Sequence, residues 1–216
     1  MVTNRVGLPT SRALTAEEAI EYLQFHVQKS VCTDVFPLTW PEFGESGYFA
    51  VPRLVLAYAD FLGCLYTGNR KGKNGQPLTS QSAVLFIRRC FGDVASAYRR
   101  RGGLLYEMYR HGTVHIYEPK VVETAKGAKL AWLVGKTIGA LGTVGHHHMW
   151  KRRRHLAVSQ DRLADDLLLA IEVYIHKLSS RGRYLARFNR AWTDIHAPEK
   201  ETDLRRKKRY LRPSDF

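Results

Sequence analysis

The stretch YRHGTVH, Tyr109 to His115, places Arg110, His111 and His115 within six positions, where an apolar helical pattern gives way to an alternating one. The ordinary pKa of histidine, about 6.5, lets it take and give protons near neutral pH. Arginine stays charged and presents a planar fork of N–H donors that matches a phosphate. Arg110 and His115 are therefore a candidate pair for cleaving RNA without a metal. The histidine would take the proton of a 2′-hydroxyl or give one to the leaving oxygen, while the arginine stabilises charge developing on the phosphate. On an α-helix His111 and His115 lie four apart and share a face. Gly112 lets a neighbouring backbone approach closely. The same residues also fit an architectural role, with both histidines satisfied by hydrogen bonds and Arg110 bridging a helix end.

Two acids stand where they can tune such a site. Asp60 interrupts the apolar helix LAYADFLGCLY, and Glu107 lies about one turn before Arg110. Either can orient a histidine or pair with Arg110. Each also fits as an ordinary partnered or exposed acid.

The elements that must position these groups are mostly helical. Residues 1–14 read as an irregular lead. Thr15 and Glu18 form a capping box, opening a helix from Ala16 to about Lys29 with Ala19, Ile20, Leu23 and Val27 on one stripe. A second helix runs from about Val51 to Tyr66, with Gly68 as its stop. A third follows Thr79 or Ser80 and reaches about Phe91. DVASAYRRRGG reads as a short helical stretch ended by glycines, and a fourth helix as Leu104 to about His115. The period then changes, and HIYEPKVVE, KLAWLVGKT and RHLAVS read as three short strands. A long helix from Asp161 to about Leu178 carries Leu163, Leu167, Ala170, Ile171 and Tyr174 inward, leaving Asp165 and Asp166 as a surface pair. A short helix covers Tyr184 to Trp192. The expected fold is thus a mainly α helical bundle with a small antiparallel β-meander before the last long helix. One helical domain spans 15–181, its β-rich insertion lies at about 115–159, and 182–216 form a short helix and a basic tail.

Charge is the strongest compositional signal. Lys and Arg number 34 against 20 acids, a net charge of +14, well beyond what solubility of a small domain needs. Such an excess points to polyanions, nucleic acid first. Arg99, Arg100 and Arg101 are candidate phosphate contacts flanking Arg110. Their position is explained almost as well by a solvated helix end. In GHHHMWKRRRH, Trp150 beside Lys151, Arg152, Arg153 and Arg154 offers ring stacking next to phosphate contacts, as single-stranded nucleic acid binding uses. His146, His147 and His148 raise a metal site, but successive strand residues point to opposite faces and no acid or cysteine stands at a familiar zinc spacing. A basic loop is the preferred reading, and no metal or cofactor is expected. Cys32, Cys64 and Cys90 are far apart in sequence and suggest neither a zinc knuckle nor a disulfide framework. No window reaches the length of a membrane span, and the start lacks the apolar centre of a secretory signal. The expected location is cytoplasmic.

Arginine, a polar residue, three further residues and then histidine, on a late helix of a helical bundle, resembles the HEPN superfamily. The matching residues are RHGTVH, and the likeness covers about residues 50–118. What it implies is a four-to-five-helix bundle that forms a homodimer, bringing two motifs into one cleft. It also implies a metal-independent endoribonuclease of a toxin–antitoxin or phage-defence system, with an antitoxin protein as a partner. Carried over by position, Arg110 and His115 are the catalytic pair and His111 the supporting polar residue. The alternative is a non-catalytic basic module that binds nucleic acid or a partner protein on the same bundle.

Overall fold

The computed structural model describes residues 12–40, 49–69, 79–111, 118–123, 125, 127–135 and 155–197. Within them the chain is mainly helical, with six helices and one small sheet. Helix α1 comprises Ala16–Tyr22, a π-wound segment Leu23–Gln28 and Lys29–Asp34. It starts at the capping box. The Glu18 amide donates to Thr15 Oγ1 at 3.2 Å, and the Thr15 amide donates to the Glu18 carboxylate at 2.8 Å. Arg12 grips the same carboxylate and, with the Thr15 amide, holds it down to about 2. A short 3-10 turn, Phe36–Thr39, follows.

Helix α2 spans Ala50–Thr67. Pro52 sits in its first turn, where a missing N–H removes no intrahelical bond. The helix stops at Gly68, whose φ of 74° is left-handed. A Cβ there would also meet the Arg187 backbone at 2.9 Å, so conformation and packing both require glycine.

Helix α3 comprises Thr79–Phe86, a π-wound turn Ile87–Phe91 and Gly92–Val94. Helix α4 comprises Ala97–Leu105 and a third π-wound segment, Tyr106–His111. The expected break at Gly102 and Gly103 does not occur, and α4 runs straight through them. A Cβ on Gly102 would lie 2.6 Å from Ile87 Cγ2. These glycines mark the close crossing of α4 over α3, a packing need that imitates a stop signal in the sequence.

The strands are β1 (Val122–Glu123), β2 (Lys129–Gly135) and β3 (His155–Ser159), in the order β1-β2-β3. Val122 pairs antiparallel with Leu130, whereas Leu133 pairs parallel with Ala157. The sheet is therefore mixed, where an antiparallel meander was expected. The connection between β2 and β3 is longer than a dozen residues, enough for the crossover that parallel pairing needs.

Helix α5, Gln160–Ser180, follows β3 directly, and α6, Gly182–His196, completes the bundle. The core is aromatic. Phe86, Phe91, Tyr98, Tyr109, Tyr174, Phe188 and Trp192 are fully buried, and Phe86 meets Phe91 and Tyr174 edge to face. Burying a Phe-sized side chain stabilises by roughly 1.5–3 kcal/mol relative to exposure. Asn189 of α6 ties down the start of the described chain. It accepts from the Leu14 amide at 2.7 Å and donates to the Leu14 carbonyl at 2.9 Å.

One acid departs from its expected place. Asp165 is exposed, but Asp166 is only 3% exposed and accepts a 2.7 Å hydrogen bond from the Tyr98 hydroxyl. Helical spacing puts Asp166 on the flank of the Leu163–Leu167 stripe, and Tyr98 reaches that flank from α4. No helix among the described residues is long and apolar enough to cross a membrane.

Candidate functional site

Arg110 lies in the π-wound end of α4. Such turns carry i→i+5 hydrogen bonds and are frequent at functional sites. The wider winding brings residues five apart over one another. Accordingly, the His111 ring meets the Tyr106 ring edge to face, with centroids 5.3 Å apart. An α-helical phase would not align that pair.

Asp60, midway along α2, organises the group. Its Oδ2 accepts from Arg110 Nε at 2.8 Å and its Oδ1 accepts from the Tyr106 hydroxyl. Ser80, in the first turn of α3, lies 3.5 Å from that hydroxyl. Two side chains of α4 therefore converge on one carboxylate of α2, with Ser80 of α3 against the phenol. The pair is partly buried, with Arg110 25% and Asp60 17% exposed at the side chain. Burial pushes the Tyr106 phenol well above its ordinary range, and the bond to Asp60 adds to this. The phenol thus keeps its proton and serves as a donor that fixes the carboxylate.

Of the two acids considered from the sequence, Asp60 is the partner of Arg110. Glu107 bonds Lys120 at 3.1 Å and faces His111 Nε2 at 3.8 Å. The Lys120 amide also donates to the Met108 carbonyl at 2.9 Å, which returns the chain to the flank of α4. Tyr109 points the opposite way, into the core. Its hydroxyl donates to the Leu156 carbonyl of β3 at 2.7 Å and lies 3.1 Å from the Leu133 carbonyl of β2. That contact docks the sheet on the helix that carries Arg110.

Chemically, the guanidinium is held through Nε alone. No other described residue bonds its two terminal nitrogens. A guanidinium held at Nε has two terminal nitrogens left, and a fork of this kind can grip two oxygens of a phosphate. His111 follows it in the same turn, against Tyr106 and Glu107.

The remaining expected site residues divide. Arg110 and His111 are together. His115 lies outside the described residues, as do Trp150, Lys151, Arg152, Arg153, Arg154 and the three histidines His146, His147 and His148. Arg99, Arg100 and Arg101 occupy the first turns of α4, not a helix C-terminus. The favourable dipole interaction of a C-terminal cation is therefore not what places them. Arg99 binds Asp93 at 2.9 Å, and Arg100 is exposed. Arg101 is half-buried, and that burial, with Arg100 beside it, lowers its guanidinium pKa. Tyr106 and Ser80 were missed by the sequence reading. A tyrosine four residues before the arginine was the available signal for Tyr106, and nothing local marked Ser80. Among the described residues no group of three or more His, Cys, Asp or Glu side chains is placed to hold a metal ion. No family model matches the chain, and neither a curated protein nor a solved structure matches it.

Proposed function

We propose that the chain is an RNA-cleaving protein of the HEPN type, acting without a metal in the cytoplasm as a homodimer. The observation that supports this most is the anchoring of Arg110 through Nε by Asp60, itself fixed by the Tyr106 hydroxyl, which leaves the two terminal nitrogens of the guanidinium without a bond to another described residue. In the proposed reaction the 2′-oxygen attacks the adjacent phosphorus and the bond to the 5′-oxygen breaks. His115 takes the 2′-hydroxyl proton or supplies one to the departing oxygen, and Arg110 stabilises the phosphate charge. The products carry a 2′,3′-cyclic phosphate and a 5′-hydroxyl. A toxin or phage-defence role, with a small antitoxin as partner, follows from the same reading.

A second reading makes the chain a non-catalytic basic module. The Asp60–Arg110 ion pair favours it, because the carboxylate cancels the charge that an anion would meet. The test is RNA cleavage by purified protein in EDTA, beside Arg110→Ala and His115→Ala. Chelator-resistant cutting with cyclic-phosphate ends, lost in both variants, supports the nuclease. Intact RNA with native protein, or equal cutting by either variant, removes it.

A further inference from the structure

Away from Arg110, the start of α6, the end of α5 and the π-wound turn of α3 enclose an open cavity of about 460 Å³. Five cations line it: Arg89, Lys177, Arg181, Arg183 and Arg187. A second cavity of about 540 Å³ shares Leu85, Arg89 and Asp93 with the first and adds Arg88 and Arg99. Both volumes fall within the range of small-ligand sites, and the shared residues set them side by side as one basic trough.

The charge in this trough is not balanced from within. Among the described residues Asp93 is the single carboxylate lining it. Asp93 already bonds Lys177 at 2.6 Å and Arg99 at 2.9 Å. Arg89, Arg181 and Arg183 are exposed, and no ion pair joins them to another described residue.

The placement on α6 runs against helix electrostatics. A helix N-terminus carries a partial positive charge and favours acids. Here Arg181 occupies the N-cap without a side-chain capping bond, Arg183 follows in the first turn, and no acid stands in that turn. Lys177 has a favourable position, in the last turn of α5. Self-repulsion of this kind is offset when an anion occupies the space between the cations.

The cations are also pre-arranged. Tyr184 stands between two of them, with the Arg183 guanidinium carbon 5.0 Å and the Arg187 carbon 5.7 Å from its ring centroid. Tyr66 backs that ring with centroids 5.3 Å apart. Burial alone would push the Tyr184 phenol up. Its bonds to Tyr66 and Arg183, with the charges of Arg183 and Lys177, outweigh burial and lower it. Guanidinium groups stacked on a fixed ring lose less freedom when they bind an oxyanion.

We propose that this trough binds phosphate groups in series, either the phosphodiesters of an RNA strand or a free polyphosphate. Its two adjoining cavities exceed what one phosphate needs, and their cations come from α3, α4, α5 and α6. The site does not include Arg110, and it stands whether or not Arg110 is catalytic.

The test uses the full chain and a labelled 2′-O-methyl RNA of about 12 nucleotides, within the span of single-strand sites. The methyl groups prevent 2′-hydroxyl attack, so failure of the nuclease reading does not disturb the measurement. Anisotropy titrations compare the native chain with Arg89→Ala/Arg183→Ala across a salt series. The expected result is at least a tenfold loss of affinity in the variant. The slope of log affinity against log salt should also flatten by about 1.4, two contacts at about 0.7 each. Inorganic triphosphate is then added as competitor. Displacement at micromolar concentration identifies a free polyphosphate as the better ligand, and resistance identifies the strand. Arg181→Glu provides an independent second variant on an exposed side chain, with the same expected loss. Equal affinity and equal slope in native and both variants would overturn the proposal, as would native protein that binds neither probe.

Discussion

Replacing Asp60 tests the organisation of the Arg110 site most directly. Opposite unit charges 2.8 Å apart attract by about 6 kcal/mol at an effective dielectric near 20 and by about 1.5 kcal/mol in bulk water. The two side chains are 25% and 17% exposed, so desolvation offsets most of the larger figure, leaving about 1–2 kcal/mol net. Asp60→Ala also leaves the Tyr106 hydroxyl and Arg110 Nε without their acceptor, each at a cost of about 1 kcal/mol. The sum is a loss of about 3 kcal/mol. In a chain of 216 residues that lowers Tm by about 6–12 °C. Asp60→Asn keeps an acceptor and removes the charge, and should lose about half as much. The assay is urea unfolding of Asp60→Ala, Arg110→Ala and the double variant. The cycle should give a coupling of about 1–2 kcal/mol between the two positions. A destabilisation below about 0.5 kcal/mol for Asp60→Ala, or a coupling near zero, would refute the idea that Asp60 holds Arg110 in place.

Two further predictions concern the frame around the site. Gly63→Ala should destabilise by about 2–3 kcal/mol although alanine is the better helix former. The added Cβ would lie 2.5 Å from the Ser82 carbonyl carbon and 2.6 Å from the Ala83 nitrogen, and backbone cannot rotate away. An unchanged urea midpoint would show that α2 and α3 separate at little cost. Asp166→Asn should leave stability at neutral pH unchanged or raised. Burial raises the Asp166 carboxyl above its ordinary 3.8, although Tyr98 and Arg162 oppose the shift. A raised folded pKa means that the group contributes most below its unfolded value and loses that contribution as pH rises through the folded one. Asparagine keeps the acceptor for the Tyr98 hydroxyl without the charge. Its advantage should therefore appear at neutral pH and vanish below about pH 4. Equal destabilisation at both pH values would contradict this.

Local chemistry was readable from the chain alone. The capping box at Thr15 and Glu18, the stop at Gly68 and the apolar stripes of α1 and α5 depend on residues within a few positions of each other, and each appears in the structure. The switch to strands after the Arg110 helix was equally local. Arg110 itself was marked by its residue type, and Asp60 by being an acid in an apolar helix. Tertiary structure decided between the two acids, because the Asp60–Arg110 bond joins residues fifty positions apart. It also gave Gly102 and Gly103 their meaning, since a close crossing and a helix stop select the same residue. The parallel pairing of β2 and β3 depended on a crossover that strand patterns do not encode. Asp166 was misplaced because helical periodicity defines a stripe but not how far a neighbour extends over its edge. The basic trough was hidden for the same reason. Arg89, Lys177, Arg181, Arg183 and Arg187 lie in three separate segments, and only the packing of α3, α5 and α6 makes their charges add. Hydrogen-bonding caps and hydrophobic periods act over a few residues of chain, whereas electrostatic potential sums over distance in space.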